Sequence, residues 1–318
     1  MAAMAGYPLK FEPIFKQRIW GGTRLQEVFG KDLPAGQKIG ESWELADLPE
    51  DKSVVINGPL AGRTLSSIVQ EHPQEIYGRP RRPEAFPLLI KFLDAEDTLS
   101  VQVHPDAAAC QRMAKGRLKT ECWYIVAAKR GAFIYKGLRP GVTRQAFVLA
   151  IDDGTVEGLL RAVPVQPGQC HYLPAGTVHA LGPGILAAEI QTPSDTTYRV
   201  FDWNRLDDRG RPRTLHIQEA LESIHFDPTA ADPPVATVGR LVDGPHFRVD
   251  KGHQAPGCET LLSPGIMKVL VILAGQGRIT DATGHAVDFR AGDCLLVPAA
   301  YEGAVIAQQD TEYLTVTV

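Results

Sequence analysis

The 318-residue sequence has no Cys-x-x-Cys pair, no apolar run long enough to span a bilayer and almost no net charge. Its five cysteines, Cys110, Cys122, Cys170, Cys258 and Cys294, are odd in number and scattered. That argues against both a disulfide framework and a cysteine-bound zinc cluster. Cys170 and Cys294 fall within alternating apolar runs, where a small buried side chain is expected. With 33 Lys and Arg against 37 Asp and Glu, no overall field draws nucleic acid or an anionic membrane, so neither is an expected partner and any anion site must be local. The amino terminus, MAAMAGYPLKFEP, lacks a basic start before an apolar core, which makes a cytoplasmic location the expectation.

What is present is β texture. Hydrophobic residues make up 44% of the chain and charged ones 22%, enough apolar material for a sizeable core. Thirty Gly and 24 Pro punctuate short runs rich in Val, Ile, Leu, Phe and Tyr, as in sandwiches and barrels. Expected strands include SVQVH at 100–104, CWYIVAA at 122–128, HYLPA at 171–175 and KVLVILA at 268–274. Helical patterns are fewer. They begin at Thr64, a candidate cap, at Thr143, where TRQAFVLAIDDGTVEGLLRAV runs on, and near Thr214.

An internal repeat organises the chain. PGQCHYLPAGTVHA, from Pro167, lies on AGDCLLVPAAYEGA, from Ala291, and sets His179 opposite Gly303. Upstream, YIVAAKRGAFI lies on LVILAGQGRI, which sets Glu121 opposite Met267. The first copy is longer by the segment after Thr143. A strand ending in a Gly turn, followed by P-G-x-x-x-x-x-P-A-G-x-x-H, resembles the cupin barrel, a small jelly roll with its ligand site inside. The expectation is therefore a mainly β protein of two cupin-type jelly-roll barrels with a few short helices. Residues 1–232 form the barrel that carries the site, and 233–318 form a degenerate barrel without a metal site. The boundary falls near Asp232–Pro233.

Gln102 and His104 are two apart, so on a strand both emerge from one face while Val101 and Val103 take the other. Glu121 opens the next strand and His179 closes the Pro-Ala-Gly turn. Two imidazoles, a carboxylate and an amide oxygen suit Zn²⁺ or another divalent first-row ion, and the histidines are neutral when ligated. A lone histidine on an apolar face is more often a hydrogen-bonded core residue. The repeat shifts the balance, because the second copy keeps the strand and turn but loses both Glu121 and His179. Lys91, Lys119, Glu189 and Arg199 are charges a core avoids without reason. His72, His216, His225, His246, His253 and His285 show no ligand spacing.

IWGG at 19–22, GESWELAD at 40–47, PLLIKFLDA at 87–95, LSVQVHPD at 99–106 and LKTECWYI at 118–125 resemble the mannose-6-phosphate isomerases. PAGTVHALG at 174–182 and EIQTPSDTTYRVFDWNR at 189–205 continue the match. Without a large helical domain, the chain resembles the short bacterial form; Leu118 departs from the Gly that commonly precedes Lys-Thr-Glu. The resemblance implies one divalent metal, zinc by preference, held by Gln102, His104, Glu121 and His179. It places the essential arginine at Arg199 and active-site lysines at Lys91 and Lys119. The implied reaction interconverts mannose 6-phosphate and fructose 6-phosphate through an enediolate. Glu189 is the candidate for proton transfer, Lys119 and Ser100 for the phosphate, and Lys91 for hydroxyls. Two histidines and a carboxylate also describe a cupin Fe(II) oxygenase, and a non-catalytic sugar-binding cupin has the same framework. Iron and oxygen dependence distinguishes the former, and ligand binding without turnover the latter.

Overall fold

The computed structural model describes residues 6–78, 85–206, 210–226 and 235–318. It is mainly β with short helices, and every strand pairing is antiparallel. Four sheets form two pairs. In the first pair, a six-stranded sheet runs Ile14–Gly22, Ile39–Leu45, Leu89–Ala95, Ile185–Gln191, Glu121–Ala128, Cys170–Leu173. It faces a five-stranded sheet ordered Tyr198–Phe201, Val101–Val103, His179–Leu181, Phe133–Leu138, Leu160–Pro164. Trp123, Ile125, Leu93 and Ala187 from the larger sheet meet Ile134 and Leu181 from the smaller in one core.

The second pair repeats this plan. Lys268–Ala274 lies between Cys294–Val297 and Thr311–Thr317, as Glu121–Ala128 lies between Cys170–Leu173 and Ile185–Gln191. The repeat read in the sequence therefore corresponds to equivalent strands. The short strand Leu9–Lys10 pairs with Leu296 and Leu295 in this carboxy-terminal sheet, so the chain starts in one pair of sheets before building the other. The boundary expected near Asp232–Pro233 lies outside the described residues.

The two six-stranded sheets pack back to back. Phe92, Cys122, Tyr124, Leu186 and Ile190 share a core with Val249, Val271, Leu296 and Leu314. A strand buried on both faces cannot alternate apolar with polar, which explains continuous runs such as KVLVILA. It also means that a charge inside such a run, Lys91 or Glu189, points into the first core, where a specific partner must meet it.

The helices are shorter than their patterns. Thr64 accepts a hydrogen bond from the Ser67 N–H at 3.3 Å and caps Leu65–Glu71. Pro73 then forces a break at His72, because the residue before proline disfavours helix, and a second turn covers Pro73–Tyr77. Thr143 caps Arg144–Asp152 through the Ala146 N–H. The rest of that pattern forms a short 3-10 turn, Val156–Leu159, and then the strand Leu160–Pro164, which corrects the reading of one long helical insertion. The third helix starts at Ile217 rather than near Thr214. Two short helices, Arg24–Phe29 and Ala107–Met113, have too few residues for a period to show. Among the described residues no helix is long and apolar enough to cross a membrane.

Phe92, fully buried and 4.4 Å from the Phe29 ring, sits in the core between the two large sheets. Phe92→Ala is expected to lose about 3–5 kcal/mol while calorimetry still shows one transition. Two well-separated transitions would mean that this core does not couple the halves.

Candidate active site

The five-stranded sheet sets three polar residues in a row. Gln102 is the direct cross-strand partner of His179 on one side and of Arg199 on the other, and directly opposite residues share a face. Val101 and Val103 turn to the opposite core. On the facing sheet, Lys91, Glu189 and Trp123 form a second row, and Glu121 pairs with Gln191 beside it. The turn that carries His179 is tied back to the first histidine, since the Gly176 N–H donates to the His104 carbonyl at 2.8 Å. Gly176 has φ +86°, and a Cβ there would lie 2.5 Å from the His225 ring. Only glycine fits.

The imidazole tautomers follow from their partners. His104 Nδ1 lies 2.9 Å from the Thr196 carbonyl and His179 Nδ1 2.8 Å from the Thr177 carbonyl. A carbonyl only accepts, so each Nδ1 carries the proton and each Nε2 offers a lone pair. Both Nε2 atoms point at Glu121: His104 Nε2 is 3.2 Å from Oε2, and His179 Nε2 is 3.2 Å from Oε1. All three residues are buried, and their ligating atoms lie within 4.8 Å of one another. His104 Nε2 and Glu121 Oε1 have no hydrogen-bond donor. Acceptors facing acceptors in a dry interior repel one another unless a cation lies among them. The donor set therefore fits a divalent metal ion, with neutral imidazoles and an ionised carboxylate.

The charges agree. Burial first, and then the nearby Lys119 charge, push His104 down to about 3, so it stays neutral. Burial alone would raise Glu121, but the Lys119 charge holds it well below the usual carboxylate range; Lys119 Nζ is 2.9 Å from its Oε2. The Gln102 amide nitrogen is 3.3 Å from His179 Nε2. A half-turn of that amide presents its oxygen to the same point.

A cavity of about 510 Å³ opens beside this centre, lined by Gln102, Lys119, Lys91, Glu189, Ser100 and Arg199 among others. Every residue singled out in the sequence for substrate or catalysis is thus brought to one cavity. Lys91 Nζ sits 3.1 Å from Glu189 and 3.9 Å from Glu41. Burial alone would lower the ammonium, but these two carboxylates raise it above its ordinary range. Glu189 also accepts from the Trp123 indole N–H at 2.9 Å. Arg199 donates through Nε to Ser100 at 3.1 Å and through Nη1 to the Thr214 carbonyl at 2.8 Å.

The sequence reading did not single out four charged lining residues: Arg18, Glu41, Asp195 and Arg213. Glu41 carried a signal, an acid inside the buried strand Ile39–Leu45. It accepts from Arg18 at 2.7 Å and from the Trp43 indole at 2.6 Å. Although burial raises a carboxylate, Lys91 and Arg18 bring Glu41 down to about 2.

The pattern described as phosphomannose isomerase type I, catalytic domain, matches residues 9–126. A probable mannose-6-phosphate isomerase of Bacillus subtilis, GmuF, is 42% identical over 309 residues, covering 93% of this chain and 94% of that protein. The mannose-6-phosphate isomerase of Streptococcus mutans is 39% identical, covering 90% and 92%. The chain belongs to the mannose-6-phosphate isomerase family. The crystal structure of the mannose 6-phosphate isomerase from Bacillus subtilis superposes with a TM-score of 0.87 at 31% identity, over 98% of this chain and 99% of that one. At 18% identity, a putative mannosephosphate isomerase from Archaeoglobus fulgidus shares the fold, with a TM-score of 0.79. The superposition on the Bacillus subtilis structure, over 98% of this chain, runs through both sheet pairs.

A pH dependence follows from His104. Its native pKa of about 3 lies below the ordinary 6.5, so between those values the unfolded chain takes up a proton that the native state refuses. Stability of the metal-free protein is expected to fall as pH drops from about 6.5 towards 3. In His104→Asn the urea midpoint is expected to depend less steeply on pH over that window, and an unchanged slope would count against a neutral buried imidazole.

Proposed function

We propose that the protein is a zinc-dependent aldose–ketose isomerase of the cytoplasm that interconverts mannose 6-phosphate and fructose 6-phosphate. The observation that carries the reading is the buried set of acceptors, His104, Glu121 and His179, opening onto a cavity whose walls carry paired lysines and carboxylates. A volume of about 510 Å³ is in the usual range for a small-molecule site. Family membership supplies the substrate class.

The residues proposed to hold the metal are His104, Glu121 and His179, with Gln102 as fourth ligand. When bound, the metal supplies Lewis-acid stabilisation of negative charge on the sugar oxygens at C1 and C2, a contribution of several kcal/mol. Isomerisation removes the C2 proton of the aldose, places the electron pair in an enediolate and returns a proton to C1. Arg199, fixed by Ser100 and the Thr214 carbonyl, still has unused N–H groups to donate to that developing charge.

Glu189 is the proposed proton carrier. Of the two buried cavity carboxylates, Glu41 is held down to about 2 by Lys91 and Arg18 and is a poor base, whereas Glu189 faces one lysine and one indole. The Trp123 bond to one oxygen and the Lys91 contact with the other fix its orientation, and Lys91 can bind a sugar hydroxyl. Lys119 and Ser100 are assigned to the sugar phosphate, with Ser100 on the Arg199 side of the cavity.

The purified enzyme is expected to lose its activity on mannose 6-phosphate with a chelator and to regain it with Zn²⁺. Glu121→Ala and His179→Ala should lose metal and activity together, and full activity in a metal-free variant would refute the assignment. Glu189→Gln should keep its metal while kcat falls by about 10²–10⁴; a kcat near that of the parent would remove Glu189 as the proton carrier.

A further inference from the structure

The two imidazoles of the metal centre are held in different ways. The Thr177 carbonyl that meets His179 lies two residues away, in the same turn. The Thr196 carbonyl that meets His104, at 2.9 Å, lies 92 residues away in sequence. It belongs to residues 192–197, which form neither helix nor strand. No regular ladder of backbone bonds fixes that carbonyl, so side chains must do so.

Ser194 supplies the central contacts. Its side chain is buried, and its hydroxyl accepts from the Thr196 N–H at 3.2 Å while donating to the Arg117 carbonyl at 3.0 Å. Arg117 answers with its own N–H, which donates to Thr196 Oγ1 at 3.0 Å. Four residues after Arg117 comes Glu121. One buried hydroxyl therefore ties the residue that orients His104 to the segment that delivers Glu121. The start of the loop is anchored too. Gln191, buried and opposite Glu121 in the strand pairing, donates from its amide to the Ser194 carbonyl at 2.6 Å and the Thr192 carbonyl at 2.9 Å. The Thr192 N–H donates to the Thr120 carbonyl at 3.0 Å, and the Thr120 N–H to Thr192 Oγ1 at 3.2 Å. Of these side chains, only the Ser194 hydroxyl reaches both Thr196 and the Arg117 segment, because a hydroxyl can donate and accept at once.

We propose that Ser194 is a positioning residue for the metal centre: through Thr196 it fixes the ring plane and tautomer of His104, and through Arg117 it holds Glu121 in step with that ring. The proposal rests on the reading of His104, Glu121 and His179 as metal ligands and adds to it a residue on which the affinity of the centre depends. Ser194 does not line the cavity, so its effect reaches the reaction only through the ligands. An alanine in its place leaves the Thr196 N–H and the Arg117 carbonyl without this bridge. The Thr196 carbonyl then drifts, the Nδ1 proton of His104 loses a fixed acceptor, and the Nε2 lone pair is no longer held towards Glu121. Partners outside the ligand shell carry about 10- to 100-fold in metal affinity.

The test uses the full chain, stripped of metal and titrated with Zn²⁺ against a chromophoric chelator, for the parent, Ser194→Ala and Ser194→Thr. Zn²⁺ affinity is expected to fall about 10-fold in Ser194→Ala and to recover most of that loss in Ser194→Thr, which restores the hydroxyl. Imidazole nitrogen NMR of the metal-free protein supplies the second readout. The parent is expected to show His104 protonated at Nδ1, and Ser194→Ala a mixture of tautomers at His104 with His179 unchanged; a general loss of stability would not single out one ring. Thr196→Val, which removes only the Arg117 contact, is expected to shift affinity and tautomer in the same direction, and it carries the test alone if Ser194→Ala does not fold. Parent-like affinity together with a single Nδ1 tautomer in Ser194→Ala would overturn the positioning role and leave the metal centre standing. A parent that binds no Zn²⁺ would overturn the metal-centre reading instead.

Discussion

Two imidazole lone pairs and a carboxylate are forced together in a dry interior, and the rest of the catalytic half is organised to tolerate that. Left to itself the arrangement is repulsive, and in water each group would turn towards solvent. They cannot turn, because the Thr196 and Thr177 carbonyls hold the far side of each ring and three adjacent strands fix the row Arg199, Gln102, His179. Beyond the Lys119 charge beside Glu121, the protein thus keeps a demand for positive charge at one point, which is what preorganisation of a metal site means physically.

The same constraint shapes the cavity wall. Charges buried near a cation site must be matched one by one or they destabilise the fold. Lys91 lies between Glu189 and Glu41, Lys119 against Glu121, and Arg18 against Glu41. These pairs leave few ways to rearrange, so the side chains that face a substrate are fixed before it arrives.

Much of this was legible in the sequence, because strand alternation is local. Val101, Gln102, Val103 and His104 announce which side chains share a face, and the run around Lys91 announces a buried charge. The repeat supplied what alternation cannot, a comparison in which Met267 and Gly303 stand where Glu121 and His179 would be. What could not be read depends on contacts between distant segments. Arg213 reaches the cavity only because residues 214–216 lie along Arg199, and nothing in RPRTLHI announces that pairing. The strand Leu9–Lys10 joins Leu295 and Leu296 across most of the chain. The end of the helix begun at Thr143 is set by a turn at Asp153–Gly154 and by the pairing of Leu160–Pro164 with Phe133–Leu138, which overrides the helical period after it.

The carboxy-terminal sheets keep the strand framework of the first pair with Met267 and Gly303 at the positions that the repeat sets opposite Glu121 and His179. A Cβ on Gly303 would lie 2.5 Å from the Tyr301 hydroxyl, so the space a ligand side chain would need is taken by an aromatic ring. Met267 is buried, and Leu270, Ile272, Leu295, Val305 and Tyr313 fill the interior. An interior filled mainly by apolar side chains can be packed for stability. Its outer face then does for the catalytic half what water cannot, covering Phe92, Cys122, Tyr124 and Ile190, the reverse side of the strands that present Lys91, Glu121 and Glu189. Those strands hold charged residues inward only because their other face is sealed. A catalytic sheet cut away from its partner would expose that apolar face, and the exposure would favour loosening the strands that carry the site.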